Sequence, residues 1–236
     1  MLRFKKGVEP PEFAKERKAG STWTGTTSRM WHADLLAEQA RLCAYCQRRI
    51  SSGLGEPQGS DMHVEHWVSQ HTGALTMDWW NVLGVCTGDE RKDTNAVKGE
   101  LHCDTHRGGF TRGDITNPSL SLHPVIGQGQ DPAPSLRYDN KGVASAVDAG
   151  VSDDMEALNL NAKRLVRARE AAYSELIERL NRKTDPGQRY SLVLLKDEYA
   201  FFARGWRDGT RPEQADVLRY FIRRWAKKLH KVTLNP

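Results

Sequence analysis

Long apolar runs are absent from the sequence. None of the 236 residues falls in a stretch that approaches the roughly 20 apolar residues needed to cross a bilayer. The first residues, Met1-Leu2-Arg3-Phe4-Lys5-Lys6, also lack the apolar centre of a secretion signal. These two absences predict a cytoplasmic protein that makes no membrane contact.

Cysteine is scarce, and its distribution is uneven. The chain has four cysteines, all between Cys43 and Cys103. In a cytosolic protein, clustered cysteines bind metal more often than they form disulfides. Cys43 and Cys46 have the spacing of a zinc knuckle, and Cys86 and Cys103 follow on either side of a polar segment. We expect the four thiolates to hold a structural Zn²⁺; the alternative is four reduced thiols without a metal.

The charge balance of the chain is mildly basic. Lysine and arginine exceed aspartate and glutamate by five, and hydrophobic residues make up 38% of the sequence. A basic excess agrees with a polyanionic partner such as nucleic acid. Since many basic proteins never bind nucleic acid, the excess alone does not identify the partner.

The stretch richest in reactive groups is His63-Val64-Glu65-His66-Trp67. On a strand, Glu65 and His66 point to opposite faces, so we expect a strand that runs into a loop here. A carboxylate is a hard ligand that suits Mg²⁺ or Mn²⁺, and a neutral imidazole accepts a proton near pH 7. Together they predict metal-assisted hydrolysis of a phosphodiester. The alternative is a pair of surface histidines on a loop.

The order of Glu65-His66, Asn81 and His106 resembles that of the HNH (ββα-metal) nucleases. More of the chain resembles the retron- and Septu-associated HNH endonucleases of bacterial antiphage systems, the PtuB-type proteins. The resemblance spans most of the chain, although the last sixty or so residues match only in helical character. The matching segments are residues 6–13, 36–39, 42–46, 64–67, 81–83 and 158–161, together with His102, Cys103, His106, Leu165 and Arg169.

The resemblance implies an α+β fold with a zinc-stapled ββα-metal core and a C-terminal helical region. It implies that Glu65 and His106 hold Mg²⁺ or Mn²⁺, that His66 deprotonates the attacking water, and that Asn81 orients His66. The spacing after Cys103 leaves open whether His102 or His106 reaches the ion, and His63 is a further candidate.

The resemblance also implies the partners of the chain. They are a PtuA-type ATPase and, where a retron is present, its reverse transcriptase with the RNA–DNA product. The substrate would be a nucleic acid, and nothing in the sequence separates DNA from RNA, including tRNA.

Composition and periodicity divide the chain into four segments. An extended N-terminal arm is expected because consecutive prolines disfavour a helix. The segments are the arm (1–27), the nuclease core with its zinc site (28–125), a hairpin and linker (126–151) and a helical domain (152–236).

Within these segments, short apolar patterns predict the elements. The polar residues 87–101 are expected to form a flexible insertion, and Thr210 with Glu213 a capping box. The predicted elements are a helix over 28–42, a strand over 62–68, a short helical turn from Cys103, a hairpin over 136–146, and helices over 152–185, 190–206 and from 210 onwards.

The last predicted helix carries a basic stripe. Arg219, Arg223 and Lys227 share one face at helical spacing, with Arg224 and Lys228 beside them. We expect this face to contact phosphates; the alternative is a solvated helix face.

Two other functions fit parts of the sequence. A non-catalytic, zinc-containing nucleic-acid-binding or scaffold subunit would use the cysteines and the basic helix but not Glu65 and His66. A metallopeptidase would need a helical His-Glu-x-x-His pattern, which the sequence lacks.

Overall fold

The computed structural model describes residues 1–20, 30–53, 61–69, 76–88 and 100–235, which form a mixed α+β protein. The helices in these ranges are α1 (Pro11–Lys18), α2 (His32–Glu38), α3 (Cys103–Gly109), α4 (Pro132–Ser135), α5 (Ala149–Ala157), α6 (Lys163–Asn181), α7 (Leu192–Arg204) and α8 (Ala215–His230). The strands are β1 (Met62–His66), β2 (Val82–Cys86), β3 (Thr111–Arg112), β4 (Ile115–Thr116), β5 (Leu136–Tyr138) and β6 (Ala144–Ala146), paired as three two-stranded antiparallel sheets.

None of the helices in the described ranges is both long and apolar enough to span a bilayer.

The hairpin of β1 and β2 lies at the centre of the N-terminal half. Met62 pairs with Cys86 and His66 with Val82, so Glu65 lies opposite Leu83. Every residue of β2 is buried, because α2 and α3 pack against it. The chain therefore forms two antiparallel strands followed by a helix that contacts the second strand.

A glutamine side chain extends the edge of β2. Gln39 Oε1 accepts a hydrogen bond from Gly84 N at 2.7 Å, and Gln39 Nε2 donates to Gly84 O at 2.7 Å and to Leu42 O at 2.8 Å. The buried amide thus satisfies backbone groups that a further strand would otherwise pair. It ties the end of α2 to the strand that carries Cys86.

The predicted extended arm is only partly correct. Leu2 N donates to Ala44 O and Phe4 N to Pro124 O, so the first residues are extended and pack on their own domain. Residues Pro11–Lys18 then form α1, contrary to the prediction. Pro11 occupies the start of this helix, where no backbone N–H is needed and its fixed φ suits the helix. Residues 21–27 of the predicted arm lie outside the described ranges.

The helix predicted over 28–42 is shorter than expected. Ser28, its predicted cap, lies outside the described ranges, and α2 ends at Glu38. Ala40 and Arg41 have φ values of 51° and 59°, in the left-handed region that ends a helix. The strand predicted over 62–68 is confirmed as β1, which ends at His66.

The hairpin predicted over 136–146 is confirmed as β5 and β6. The prediction of a single helix over 152–185 is wrong, because the helical structure is interrupted between α5 and α6. Asn161 causes part of this break: its amide bonds both backbone groups of Ala144 on β6, at 2.9 Å each. Asn159, at φ 44°, donates to Leu101 O. Side-chain bonds of asparagine to distant backbone thus compete with helix continuation.

The predicted capping box at Thr210 and Glu213 is also wrong. The residue before α8 is Gln214, which has left-handed backbone angles. Thr210 instead bonds Asp208, and Glu213 accepts a hydrogen bond from Arg49 N. The start of α8 is fixed by the knuckle: Gln214 Nε2 donates to Cys46 O at 3.0 Å.

One hydrophobic cluster includes buried residues from all four predicted segments. Leu2, Leu83, Tyr138 and Ile222, one from each segment, belong to it. The helical region and the cysteine-rich region therefore share a core.

Gly142, in the turn of the β5–β6 hairpin, provides a test of this packing. At φ 82° a Cβ would overlap the carbonyl oxygen of Val166 and lie 2.8 Å from Glu170 N, both on α6. Gly187 has φ 81° and nothing within 4 Å of the same position. We expect Gly187→Ala to lower the free energy of unfolding by about 1 kcal/mol through backbone strain alone, and Gly142→Ala by about 1–3 kcal/mol more. Urea unfolding of both variants measures the difference; equal losses would contradict the close approach of hairpin and helix.

Candidate functional site: a four-cysteine centre and a buried acid cluster

The four cysteines converge on one point. Their Sγ atoms are all buried and lie within 4.8 Å of one another. The Cys43–Cys103 and Cys46–Cys86 separations are 3.9 and 3.6 Å. A tetrahedral Zn²⁺ with bonds of about 2.3 Å sets its sulfurs about 3.8 Å apart, whereas a disulfide needs about 2 Å. The geometry therefore fits a structural metal such as zinc and does not fit disulfides.

Each half of this centre depends on tight backbone turns. Gln47, at φ 61°, closes the first by donating its N–H to Cys43 O at 3.0 Å. In the second, Gly88 O accepts from His102 N at 3.2 Å, and a Cβ on Gly88 would overlap the His102 carbonyl oxygen. Glycine at this position lets the end of β2 approach the start of α3. Residues 89–99, most of the predicted flexible insertion, lie outside the described ranges.

The thiols of the centre interact strongly with one another. Burial opposes ionisation of Cys43, but hydrogen bonds from Cys103, Cys46 and Cys86 outweigh it and hold its pKa well below the usual value. Burial raises the pKa of Cys103 well above the usual value. Because thiolates are the metal ligands, binding a cation here releases protons.

His102 belongs to the cysteine centre. It is fully buried, and its Nδ1 lies 3.2 Å from Cys103 Sγ and 3.7 Å from Cys86 Sγ. Its Nε2 lies 3.4 Å from an Arg48 nitrogen. Of His102 and His106, the two candidate ligands of the catalytic ion, His102 thus faces the thiols.

A second cluster surrounds Glu65 on β1. The buried Glu65 carboxylate forms an ion pair with Arg107 Nη1, and the Tyr45 hydroxyl lies 3.5 Å from the same oxygen. Asp104 hydrogen-bonds to Glu65, and its Oδ2 lies 3.7 Å from His63 Nδ1. The structure therefore gathers two acids, a histidine and an arginine where β1 meets α3.

The two acids have opposite pKa shifts. Burial, and then the charge of Asp104, raise the pKa of Glu65 well above its usual value despite Arg107. Burial alone would raise the pKa of Asp104, but hydrogen bonds from His63 and Glu65 outweigh it and lower the value. Two carboxylates in contact resist simultaneous ionisation, and Arg107 compensates only one negative charge of the pair, so a further cation there would be favourable.

His106, expected beside Glu65, lies elsewhere. Its Nδ1 donates to Ala157 O at 2.8 Å, and its ring packs on Phe110. At 3.6 residues per turn, Asp104 and Arg107 are about 60° apart on α3, whereas His106 is about 160° from Asp104. On α3, Asp104 and Arg107 thus face Glu65, and His106 faces α5. The three-residue spacing of Asp104 and Arg107 is the sequence signal for this arrangement.

Among the described residues, the four cysteines are the one group of three or more possible metal ligands close enough to share an ion. A catalytic ion held by Glu65 and His106 therefore remains a prediction.

His66 has the protonation state of a base. Its Nε2 lies 2.9 Å from Thr76 O and must carry the hydrogen, which leaves the acceptor lone pair on Nδ1. Burial lowers the pKa of His66 below 6.5, and the nearby Asp104 charge only partly offsets this. The imidazole is consequently neutral at pH 7.

Asn81 fixes the chain that follows β1. Its Oδ1 accepts from Val68 N at 2.7 Å, its Nδ2 donates to Val68 O at 3.0 Å, and its backbone oxygen accepts from Trp67 N at 2.9 Å. Asn81 therefore fixes the loop just beyond His66.

The basic face predicted on α8 is divided in the structure. Arg219 bonds Asp216 and lies over the Tyr199 ring, and Arg223 donates to Ala133 O at 3.1 Å. Lys227 is exposed, together with Arg224 and Lys228. Two of the three predicted phosphate contacts thus have partners within the protein.

Comparison with known proteins gives no relative. No protein-family model, curated protein or solved structure matches the chain.

Removal of one thiol tests the metal centre. We expect the purified protein to contain about one equivalent of Zn²⁺ and Cys86→Ser to contain much less, because serine replaces one of four thiolate ligands. Zinc content by elemental analysis measures this directly. A chelator should lower the unfolding midpoint of the wild type but not of Cys86→Ser, since only a bound metal adds stability. Equal zinc contents would contradict the assignment.

Proposed function

We propose that the chain is a metal-dependent endonuclease of the ββα-metal (HNH) type that hydrolyses phosphodiesters of nucleic acid. The observation that carries this proposal is the position of Asp104. Asp104 lies beside the buried Glu65, its Oδ2 is 3.7 Å from His63 Nδ1, and its negative charge partly offsets the burial that lowers the pKa of His66. Two possible hard ligands and a neutral histidine thus occur where β1 ends and α3 begins, and metal-assisted hydrolysis uses both kinds of group.

The donor set suits a hard divalent cation. Asp104 and Glu65 would hold it, with His63 beside them, because Arg107 compensates only one of the two negative charges. Mg²⁺ or Mn²⁺ bound there would supply the charge that stabilises the pentacovalent phosphorus and the leaving oxygen. His106 remains the alternative ligand that the family resemblance implies.

The protein's own groups supply the proton transfer. His66 Nδ1 would take the proton of the attacking water, while the hydrogen bond from Nε2 to Thr76 O fixes the ring. Asn81 would hold the loop behind His66 in place. Four thiolates from Cys43, Cys46, Cys86 and Cys103 would hold a structural Zn²⁺ that keeps α3 against β2.

The setting of this activity rests on the family resemblance. We infer a cytoplasmic effector of antiphage defence that works with a PtuA-type ATPase. Where a retron is present, its reverse transcriptase and RNA–DNA product would join the complex. The substrate is DNA or RNA, since both carry the same phosphodiester.

One observation favours a second function. Glu65 is buried in an ion pair with Arg107, which a purely structural role would also explain. The chain would then be a zinc-containing nucleic-acid-binding or scaffold subunit without chemistry. Divalent-cation-dependent cleavage by the purified protein, alone and with its ATPase, separates the two functions.

Replacement of His66 tests the base. We expect His66→Ala to lower the cleavage rate by about 10²–10⁴-fold, because water would lose its proton acceptor. His230→Ala is the matched control: His230 also places Nε2 2.8 Å from a backbone oxygen, that of Tyr190, but on α8. The control should cleave at the wild-type rate with the same zinc content. Wild-type cleavage by His66→Ala would disprove this role.

The pH dependence of cleavage follows from the same residue. The base is active when neutral, so the rate should rise with pH through the pKa of His66. Because burial lowers that pKa, the midpoint should fall below 6.5. A rate profile between acidic and neutral pH measures it; a midpoint above 6.5 would indicate another group.

A pair of variants on α3 identifies the ligand of the ion. Asp104→Asn should raise the Mg²⁺ concentration needed for half-maximal cleavage by at least about tenfold, because an amide is a weaker ligand than a carboxylate. His106→Ala should leave it unchanged. The reverse result would assign the ion to His106 instead.

A further inference from the structure

A groove lies between α8, α6 and the turn of the β5–β6 hairpin. Its volume is about 530 Å³, within the range of pockets that hold small ligands. Aromatic and basic side chains line it together, among them Tyr173, Trp225, Arg224, Lys227 and Lys228. We refer to it as the basic-aromatic groove.

The sequence of α8 produces this combination. Phe221 and Trp225, four residues apart, pack on Tyr173 of α6, with ring centroids 4.6 and 6.1 Å from it. Tyr173 and Trp225 are only partly buried, so part of each ring faces the groove. They could therefore stack against a flat ligand.

The three cations lie on the neighbouring face of α8. Lys227 and Lys228 follow Arg224 by three and four residues, a spacing that places them side by side. Arg224 is held by the Tyr220 hydroxyl at 2.8 Å. Among the described residues, no carboxylate forms a salt bridge with any of the three.

The acidic residue that lines the groove, Asp139, is hydrogen-bonded to backbone amides. Asp139 Oδ1 accepts hydrogen bonds from Lys141 N at 3.0 Å and Val143 N at 2.8 Å. Its charge is therefore partly compensated within the hairpin turn. The groove thus combines a net positive charge with exposed ring surface.

We propose that the basic-aromatic groove binds a single-stranded segment of the nucleic acid, with a base on Tyr173 and Trp225 and phosphates on Arg224, Lys227 and Lys228. Stacking needs an unpaired base face, which a duplex hides, and cations follow the backbone without reading sequence. The proposal rests on the proposed nuclease function and adds to it the strand state of the substrate. DNA and RNA both carry the base faces and phosphates that the groove would bind.

Binding is tested on the full chain without added Mg²⁺ or Mn²⁺, so that cleavage plays no part. Fluorescence anisotropy of labelled oligothymidylate and oligouridylate gives the affinity at several salt concentrations. Lys227→Gln/Lys228→Gln should reduce the salt slope, log K against log[salt], by about 1.4, which is about 0.7 for each lost phosphate contact on a single strand. Lys18→Gln/Lys196→Gln removes the same charge from exposed lysines outside the groove and should leave the slope near that of the wild type.

A second variant pair tests stacking. Tyr173→Ala should weaken binding by about 5- to 150-fold, the range found for loss of one base–aromatic stack, whereas Tyr173→Phe should retain affinity. Circular dichroism and urea unfolding confirm that each variant is folded. The labelled strand annealed to its complement should bind less tightly than the single strand.

Three results would overturn the proposal. Equal losses in the two lysine pairs would indicate general charge attraction. Duplex binding as tight as that of the single strand would exclude base stacking. Binding of oligoglutamate with the same dependence on Lys227 and Lys228 would indicate an acidic protein partner. If the groove variants behave as expected but no metal-dependent cleavage is found, the nuclease proposal is refuted and the groove proposal stands.

Discussion

The four buried thiols join parts of the chain that are far apart in sequence. Cys43 and Cys46 follow α2, Cys86 ends β2, and Cys103 begins α3. Small two-stranded sheets have little core of their own, so a metal at this point would supply much of their cohesion. The position of α3 on β2, and with it the contact of Asp104 with Glu65, depends on that convergence.

Arg107 is the second constraint, and it acts on the end of β1. Besides Glu65, its guanidinium donates to His66 O at 3.3 Å, Trp67 O at 2.8 Å and Pro118 O at 3.2 Å. A fully buried arginine is tolerated because these acceptors satisfy its donors and Glu65 compensates its charge. The same side chain thus balances the acid cluster and fixes the backbone that carries His66.

The elements that the sequence predicted well are those with local causes. β1 follows from alternation around Val64, and the β5–β6 hairpin from turn residues near Gly142. The cysteine centre was predicted because four clustered thiols in a chain expected to be cytosolic bind metal more often than they form disulfides. By contrast, the break between α5 and α6 depends on Asn161 reaching Ala144, a contact that no local pattern contains.

Only part of the acid cluster could be predicted from the sequence, for a similar reason. Glu65 and His66 are recognisable as neighbours, but the partner of Glu65 depends on which face of α3 meets β1. With Cys103 held in the cysteine centre, Asp104 and Arg107 of α3 face Glu65, and His106 faces α5. Likewise, Asp216 draws Arg219 away from the surface, and spacing along α8 cannot reveal this.

The hydrogen bonds at the start of α8 fix the distance between the knuckle and the basic side chains near the end of this helix. Gln214 and Asp216 bond the knuckle through Cys46 O and Gln47 Oε1. With a rise of about 1.5 Å per residue, Lys227 lies about 18 Å along the axis from Ala215. A stacked strand advances about 3.4 Å per nucleotide, so this distance corresponds to about five nucleotides. On the proposed functions, α8 would hold a bound strand at a fixed distance from the cysteine centre.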